Sequence, residues 1–140
     1  MSAGQTGSAP DIAAPRLNAA RTALASALRK NEKARETLSA RQPVPQAQLR
    51  RVSRNCTALS LALALVTAAL AEAPPSVYSR AELDCAGQVL HALIRRLAAL
   101  QPKFQPGTPQ STLVLRRLDA LRVASALVEQ ALEPPPPSPA

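Results

Sequence analysis

The stretch ALSLALALVTAALA, residues 58–71, decides the fold of this 140-residue chain. It is compatible with a strand, a membrane span or a buried helix. Leucine alternates with small residues from Leu59 to Leu65, which is a strand signal. No second strand is visible for it to pair with, however, and a lone strand leaves its backbone groups unpaired. On a helix the same leucines spread over several faces, so the helix is apolar nearly all round and has to be enclosed.

Either protein or lipid can enclose this helix. The apolar run 56–71 has 16 residues and contains three hydroxyl side chains. A spanning helix needs about 20 predominantly apolar residues. Three arginines precede the run and would anchor the cytoplasmic end of a span: Arg50, Arg51 and Arg54. We predict a central bundle helix, the most buried of its bundle, and keep a short single membrane span through 56–71 as an alternative.

The composition favours helices throughout the chain. Alanine and leucine supply 50 residues, against two isoleucines, one phenylalanine, one tyrosine and no tryptophan. Helices favour Ala and Leu because these residues lose little side-chain freedom there. Sheets favour β-branched and aromatic residues, which fit a pleated, half-buried surface. The composition therefore predicts an all-α protein.

Fourteen prolines divide the chain into segments. Proline breaks helix interiors but suits the first helical turn and the residues after a helix end. The proline-free intervals therefore predict four helices, near 14–41, 45–73, 79–101 and 109–133. Similar lengths and short connections are typical of an antiparallel four-helix bundle, which we predict for 14–133. We expect the tail 1–13 and the Pro-rich tail 134–140 to be disordered.

Local signatures support the last two helices. Ser79 and Glu82 form a capping-box pattern, and Thr108 can cap a helix with Pro109 in its first turn. Gly87 lowers helix propensity but allows a close helix contact. Leucines spaced by three and four residues in the third helix form a heptad-like seam, as in a coiled coil. From these patterns we predict a leucine core: Leu59, Leu61, Leu63, Leu65, Leu90, Leu93, Leu97, Leu118 and Leu121.

The sequence offers little catalytic chemistry. His91 is the only histidine, the four glycines are isolated, and no nucleophile, histidine and acid share an interpretable spacing. We therefore expect no catalytic residue, no cofactor and no metal site. If the second and third helices turn near Ser76, Cys56 and Cys85 differ in height by about 16 Å, too far for a disulfide. We expect both to be free, small buried residues.

Positive charge is the one feature that indicates a partner. The net charge is +8, from 17 Lys and Arg against nine Asp and Glu, which favours an anionic partner. The segments IRRLAAL (94–100) and LRRLDAL (115–121) resemble each other, and each carries an arginine pair. The recurrence is explained by chance among abundant residue types or by a function. On the functional interpretation, antiparallel third and fourth helices bring the two pairs to similar heights, where they form a basic strip for an acidic partner or a solvated surface.

Two basic groups are candidate contact residues. One lies on the first helix, where Glu32 and Glu36 interrupt it: Arg29, Lys30, Lys33 and Arg35. The other is the predicted strip: Arg95, Arg96, Arg116 and Arg117.

Two functional hypotheses follow from these features. The first is a non-enzymatic helical adaptor, or a small subunit of a protein assembly, that contacts an acidic face or helix of a partner protein. The alternative is a basic protein that binds nucleic acid or an anionic surface without sequence preference, since such contacts go to phosphate. The sequence leaves the partner and the oligomeric state open.

The N-terminus indicates an intracellular protein. The first ten residues, MSAGQTGSAP, lack the apolar region of a signal peptide, so we expect a cytoplasmic or nuclear location rather than classical secretion. Residues 12–41 are rich in Arg and Ala and poor in acid before Glu32, which keeps a mitochondrial location as an alternative.

Overall fold

The structure, a computed structural model, describes residues 11–75 and 77–133 and is all-α. Four helices follow one another: α1 (Ala14–Ser39), α2 (Gln46–Leu70), α3 (Arg80–Leu100) and α4 (Pro109–Leu132). A short 3-10 helix, Gln101–Lys103, leads from α3 into the turn before α4. No strand occurs in the described residues, so the predicted helical fold class is confirmed.

The predicted tails lie largely outside the described residues. Of the first tail only residues 11–13 are described, and they precede α1 without regular structure. Ile12 nevertheless packs against the core, so this short segment contributes to the bundle. The predicted Pro-rich tail 134–140 lies entirely outside the described part of the chain.

The helix ends differ from the predicted ends by a few residues, most clearly in α2, which stops at Leu70 rather than 73. Glu72 adopts a left-handed φ of 52°. Its N–H donates to the carbonyl of Ala69 (3.2 Å), and the N–H of Ala73 donates to that of Ala68 (3.0 Å). This is the Schellman arrangement, which satisfies the last carbonyls of a helix and ends it. Two prolines follow at once.

Side-chain caps begin α3 and α4 as the sequence predicts. The Ser79 hydroxyl accepts from the N–H of Glu82 (3.0 Å), and the Glu82 carboxylate accepts from the N–H of Ser79 (2.8 Å). The Thr108 hydroxyl accepts from the N–H of Ser111 (3.2 Å), and Pro109 occupies the first turn of α4. Both predicted caps are confirmed.

The helices pack as two hairpins, α1 with α2 and α3 with α4. The hairpins join because α1 packs against α4 and α2 packs against α3. Of the two diagonal pairs, α2 and α4 are in contact, whereas α1 and α3 do not touch within the described residues. The core therefore forms around α2 and α4, with α1 and α3 on its outer sides.

Most of the predicted core leucines lie in this core. Six of the nine are buried: Leu59, Leu61, Leu65, Leu90, Leu118 and Leu121. Leu63, Leu93 and Leu97 are only half-buried and pack against its edge, which corrects their assignment as core residues.

The most buried helix is α4 rather than α2, contrary to the prediction. Among the described residues α4 has ten buried positions and α2 has seven. The difference arises because one flank of α2, which carries Ser53, Thr57 and Ser60, faces an open groove between α1 and α3. The apolar run of α2 is thus enclosed by other helices on its remaining sides.

We expect Leu59→Ala to lower the free energy of unfolding by about 2–5 kcal/mol, because Leu59 is 1% exposed and truncation leaves a cavity. Leu63→Ala is the matched control, since it removes the same atoms one helical turn away from a half-buried site. The expected loss of unfolding free energy is smaller for Leu63→Ala than for Leu59→Ala. Urea denaturation followed by circular dichroism measures both, and equal losses would contradict the packing described above.

We expect Gly87→Ala to stabilise the protein by about 0.5–1 kcal/mol, because alanine has the higher helix propensity. A Cβ at this position would lie 3.7 Å from Cγ1 of Val128, which is ordinary van der Waals contact. The close helix contact predicted at Gly87 therefore does not require glycine. A lower urea midpoint for the variant would show that the space is tighter than this distance indicates.

Candidate functional site

The positive charge of the chain is concentrated in two ranges of the sequence. Residues 29–54 and 95–122, which surround the two hairpin turns, contain 14 of the 17 Lys and Arg but only three of the nine Asp and Glu. We call these two ranges the basic end. Its net charge is +11, and the rest of the chain carries −3.

One side-chain contact joins α1 to α2, and shared grooves bring parts of the two ranges together. The side-chain amide of Asn55 on α2 donates to that of Asn31 on α1 (3.3 Å). Arg51 and Arg54 of α2 line a groove of about 220 Å³ with Arg96 of α3. Arg96 also lines a cavity of about 140 Å³ with Arg117 of α4. All four helices thus contribute to one cationic region.

The cations of the basic end have no partners within the described residues. None of the 14 makes a side-chain hydrogen bond or an ion pair there. The three cations elsewhere are all engaged: Arg16 with Asp119 (2.7 Å), Arg21 with Asn18 (2.9 Å) and Arg80 with the carbonyl of Leu132 (3.2 Å). The positive charge is therefore free for contacts outside the chain.

Asp119 is the one acidic residue in the range 95–122, and it is occupied by an arginine from outside the basic end. Both Nε and Nη2 of Arg16 donate to its carboxylate, and this hydrogen bond raises the pKa of Arg16. Both side chains are about half exposed, at 49% and 47%. Asp119 makes no ion pair with the nearby arginines of α4: Arg116, Arg117 and Arg122.

The predicted strip on α3 and α4 is divided by the structure. Arg95, Arg96 and Arg116 are exposed and Arg117 is half-buried. Arg96 and Arg117 line the same cavity, whereas Arg116 lines a different one, beside Asp119. Adjacent helix residues point about 100° apart, so the two members of each pair cannot share one surface. The side chains of the four arginines therefore do not all point to one cavity, and their role as a contact strip stays a prediction.

The basic group predicted on α1 is similarly divided. Arg29, Lys30 and Lys33 are exposed, and Arg35 lines a large groove. Sequence reasoning missed Arg51 and Arg54 as contact residues and considered them only as membrane anchors. Their spacing of three residues places them on one helix face, and this signal was available in the sequence.

One nitrogen of Arg117 is buried without an acceptor. Its Nε is inaccessible to solvent and has no hydrogen-bond partner among the described residues. A buried donor left unpaired costs about 1–3 kcal/mol, and more when the group is charged. Within the described residues, no hydrogen bond holds this guanidinium in its present position.

The large groove, of about 720 Å³, lies between α1, α2 and the start of α3. Arg35 and Arg54 line it together with Glu32 and Glu82, but the Glu82 carboxylate is engaged in the cap of α3. Its apolar lining comes from all three helices and the segment before α3: Leu28, Ala58, Leu61, Tyr78, Ala81 and Ala86. The groove thus combines an apolar floor with cations at its edge.

Both cysteines line this groove, and both are free, as predicted. The predictions about their burial and their relative heights need correction. Cys56 is buried, as expected, but Cys85 is exposed. They also lie beside the same groove rather than far apart in height. The connection after α2 is not a tight hairpin, so α3 begins alongside the middle of α2. Burial raises the pKa of the Cys56 thiol, with Glu32 acting in the same direction and Arg35 opposing it.

A second polar cluster, also missed in the sequence, joins α3 to α4. The Ser125 hydroxyl lies 3.0 Å from Nε2 of His91, and the Glu129 carboxylate lies 3.5 Å from the same nitrogen. A serine–histidine–acid relay requires the serine and the acid on opposite ring nitrogens. The cluster therefore has the geometry of a link between two helices rather than that of a relay.

Two further observations concern metals and membranes. Within the described ranges, no three His, Cys, Asp or Glu side chains converge as metal ligands. Of the described helices, α2 alone is long and apolar enough to cross a membrane, and core helices of soluble proteins meet the same test. The membrane span through 56–71 stays an untested prediction.

The chain matches no known family model, no curated protein and no solved structure.

We expect Cys85 to be alkylated by iodoacetamide much faster than Cys56 in the native protein. Cys85 is exposed, whereas Cys56 is 4% exposed and its raised pKa lowers the fraction of reactive thiolate. Mass spectrometry of the intact chain measures both rates, with Cys56→Ser and Cys85→Ser to assign them. Equal rates in the native state would contradict the geometry of the groove, whereas equal rates in urea are expected.

Proposed function

We propose that the protein is a non-enzymatic helical adaptor, or a small subunit of an assembly, that binds an acidic partner protein through its basic end and the large groove. The observation that carries this proposal is that the 14 cations of the basic end have no hydrogen-bond or ion-pair partner within the described residues. Such a region attracts acidic partners over long range and accelerates their association.

The neighbouring groove favours a protein segment over a polyphosphate as the main partner. Its apolar floor gains stability by burying hydrophobic side chains, while Arg35 and Arg54 can contact carboxylates at its edge. An acidic amphipathic helix offers both kinds of group on adjacent faces. A phosphate backbone would use the arginines but would gain nothing from the floor.

We expect the double variant Arg51→Gln/Arg54→Gln to bind a labelled acidic amphipathic helical peptide about tenfold more weakly than the unmodified protein. Loss of one charge-assisted contact is enough for this change, since about 1.4 kcal/mol corresponds to a factor of ten. Fluorescence anisotropy measures the affinity. The matched control is Arg21→Gln/Arg80→Gln, which removes the same charge outside the basic end.

Two outcomes would contradict the adaptor proposal. One is an equal loss of affinity in both double variants, which would indicate an effect of net charge alone. The other is equal binding of a peptide with the same composition but scrambled so that it has no apolar face. The expected result is weak binding of the scrambled peptide and full binding by the control variant.

The second candidate function is non-specific binding of nucleic acid or an anionic surface. The charge asymmetry, +11 at the basic end against −3 elsewhere, favours this candidate. On this hypothesis affinity falls steeply with salt because contacts to phosphate release counterions, and it shows little base preference. Titration with duplex DNA, single-stranded RNA and anionic vesicles at about 50 mM salt tests it. Absence of binding to all three would exclude it.

A further inference from the structure

The cavity between α1, α3 and α4 combines two guanidinium groups with no acidic side chain. Its volume is about 140 Å³, well above the roughly 15 Å³ that one water needs. Arg96 and Arg117 line it, together with Asn31 and otherwise only alanine and leucine. Arg96 is exposed and Arg117 is half-buried, so the cavity has two like charges at its lining and no acidic group to compensate them.

The described residues supply no hydrogen-bond acceptor for these guanidinium groups. Asn31 is the only other polar residue in the lining, and its amide already donates to the carbonyl of Ala27 (2.9 Å) and accepts from Asn55 (3.3 Å). The Nε of Arg117 is buried without a partner, and Arg96 makes no hydrogen bond within the described residues. The arrangement lacks one component, a negatively charged group with several acceptor oxygens.

We propose that this cavity is a binding site for a small oxyanion, a phosphate or a carboxylate, held between Arg96 and Arg117. The planar guanidinium presents paired donors that match such oxyanions. Rotation of the Arg117 side chain into the cavity gives its unpaired Nε an acceptor, and the anion compensates the two positive charges. The proposal goes beyond the adaptor function: it assigns a small-anion site to one cavity within the basic end, and this cavity shares no residue with the large groove.

The sequence provides its own controls, because each arginine pair has one member in the cavity and one outside it. Arg95→Gln and Arg116→Gln remove the same charge one position away from Arg96→Gln and Arg117→Gln. The experiment measures the thermal midpoint of the full chain in rising inorganic phosphate, against chloride at equal ionic strength and pH. A ligand that binds only the folded state raises this midpoint. Phosphate also stabilises proteins by exclusion from their surface, and that effect is common to all variants.

We expect the phosphate-dependent rise to be retained in Arg95→Gln and Arg116→Gln and lost in Arg96→Gln and Arg117→Gln. A parallel series in acetate distinguishes the source of the oxyanion: an Arg96-dependent rise there assigns a carboxylate, and a rise in phosphate alone assigns a phosphate group. If Arg117→Gln does not fold, the comparison of Arg96→Gln with Arg95→Gln carries the test.

Either of two results would overturn the site. The first is a rise of the same size in all variants, which would be general exclusion of salt. The second is no rise in either anion beyond that in chloride. The peptide experiment on the large groove is independent of these outcomes, so failure of one proposal is distinguishable from failure of the other.

Discussion

The contact between α2 and α4 across the diagonal of the bundle determines the positions of the other parts. Side chains that are completely buried on both helices are small or β-branched: Ala62 and Val66 on α2, Ala124 and Val128 on α4. Small side chains let helices approach closely, and α2 and α4 are the diagonal pair that is in contact. The other diagonal pair, α1 and α3, is held apart as a result. Two openings lie between α1 and α3: the large groove beside α2 and the cavity beside α4.

The charge asymmetry follows from the position of the cations along the chain and from the antiparallel hairpins. Cations flank the α1–α2 turn and the α3–α4 turn, and an antiparallel arrangement places both turns at one end. Self-repulsion at such an end destabilises the folded state. Long arginine stems reduce this cost, because they keep the charged groups in water while their methylenes cover apolar surface. The repulsion is relieved further when anionic groups bind.

Much of the fold was predictable from the sequence, because prolines and capping residues act locally. Ser79 with Glu82 and Thr108 with Pro109 begin their helices as predicted, since each cap depends only on residues within one turn. The end of α2 was missed because a left-handed residue closes it, and Glu72 carries no signal for that conformation as glycine would. Helix geometry alone predicts that the two arginines of each pair, 95–96 and 116–117, point in different directions, so this feature was also predictable.

The register between helices was not predictable from the sequence. Alanine and leucine are so frequent that several helix pairings bury equivalent surface, and the sequence pattern does not choose among them. The relative heights of Cys56 and Cys85 were wrong for this reason, since a connection of nine residues allows α3 to begin well before the end of α2. Arg51, Arg54 and Arg96 converge only because this register brings α2 and α3 together.

The ion pair between Arg16 and Asp119 affects the electrostatic field more than the stability of the fold. Both side chains are about half exposed, and exposed pairs contribute only about 0–1 kcal/mol. The ion pair affects the electrostatic field through the charges that it neutralises. It binds the one acidic group within 95–122 to a cation from outside the basic end, so Arg116, Arg117 and Arg122 keep their full charge. The packing of α1 against α4 thus preserves the positive potential on which both proposed binding sites depend.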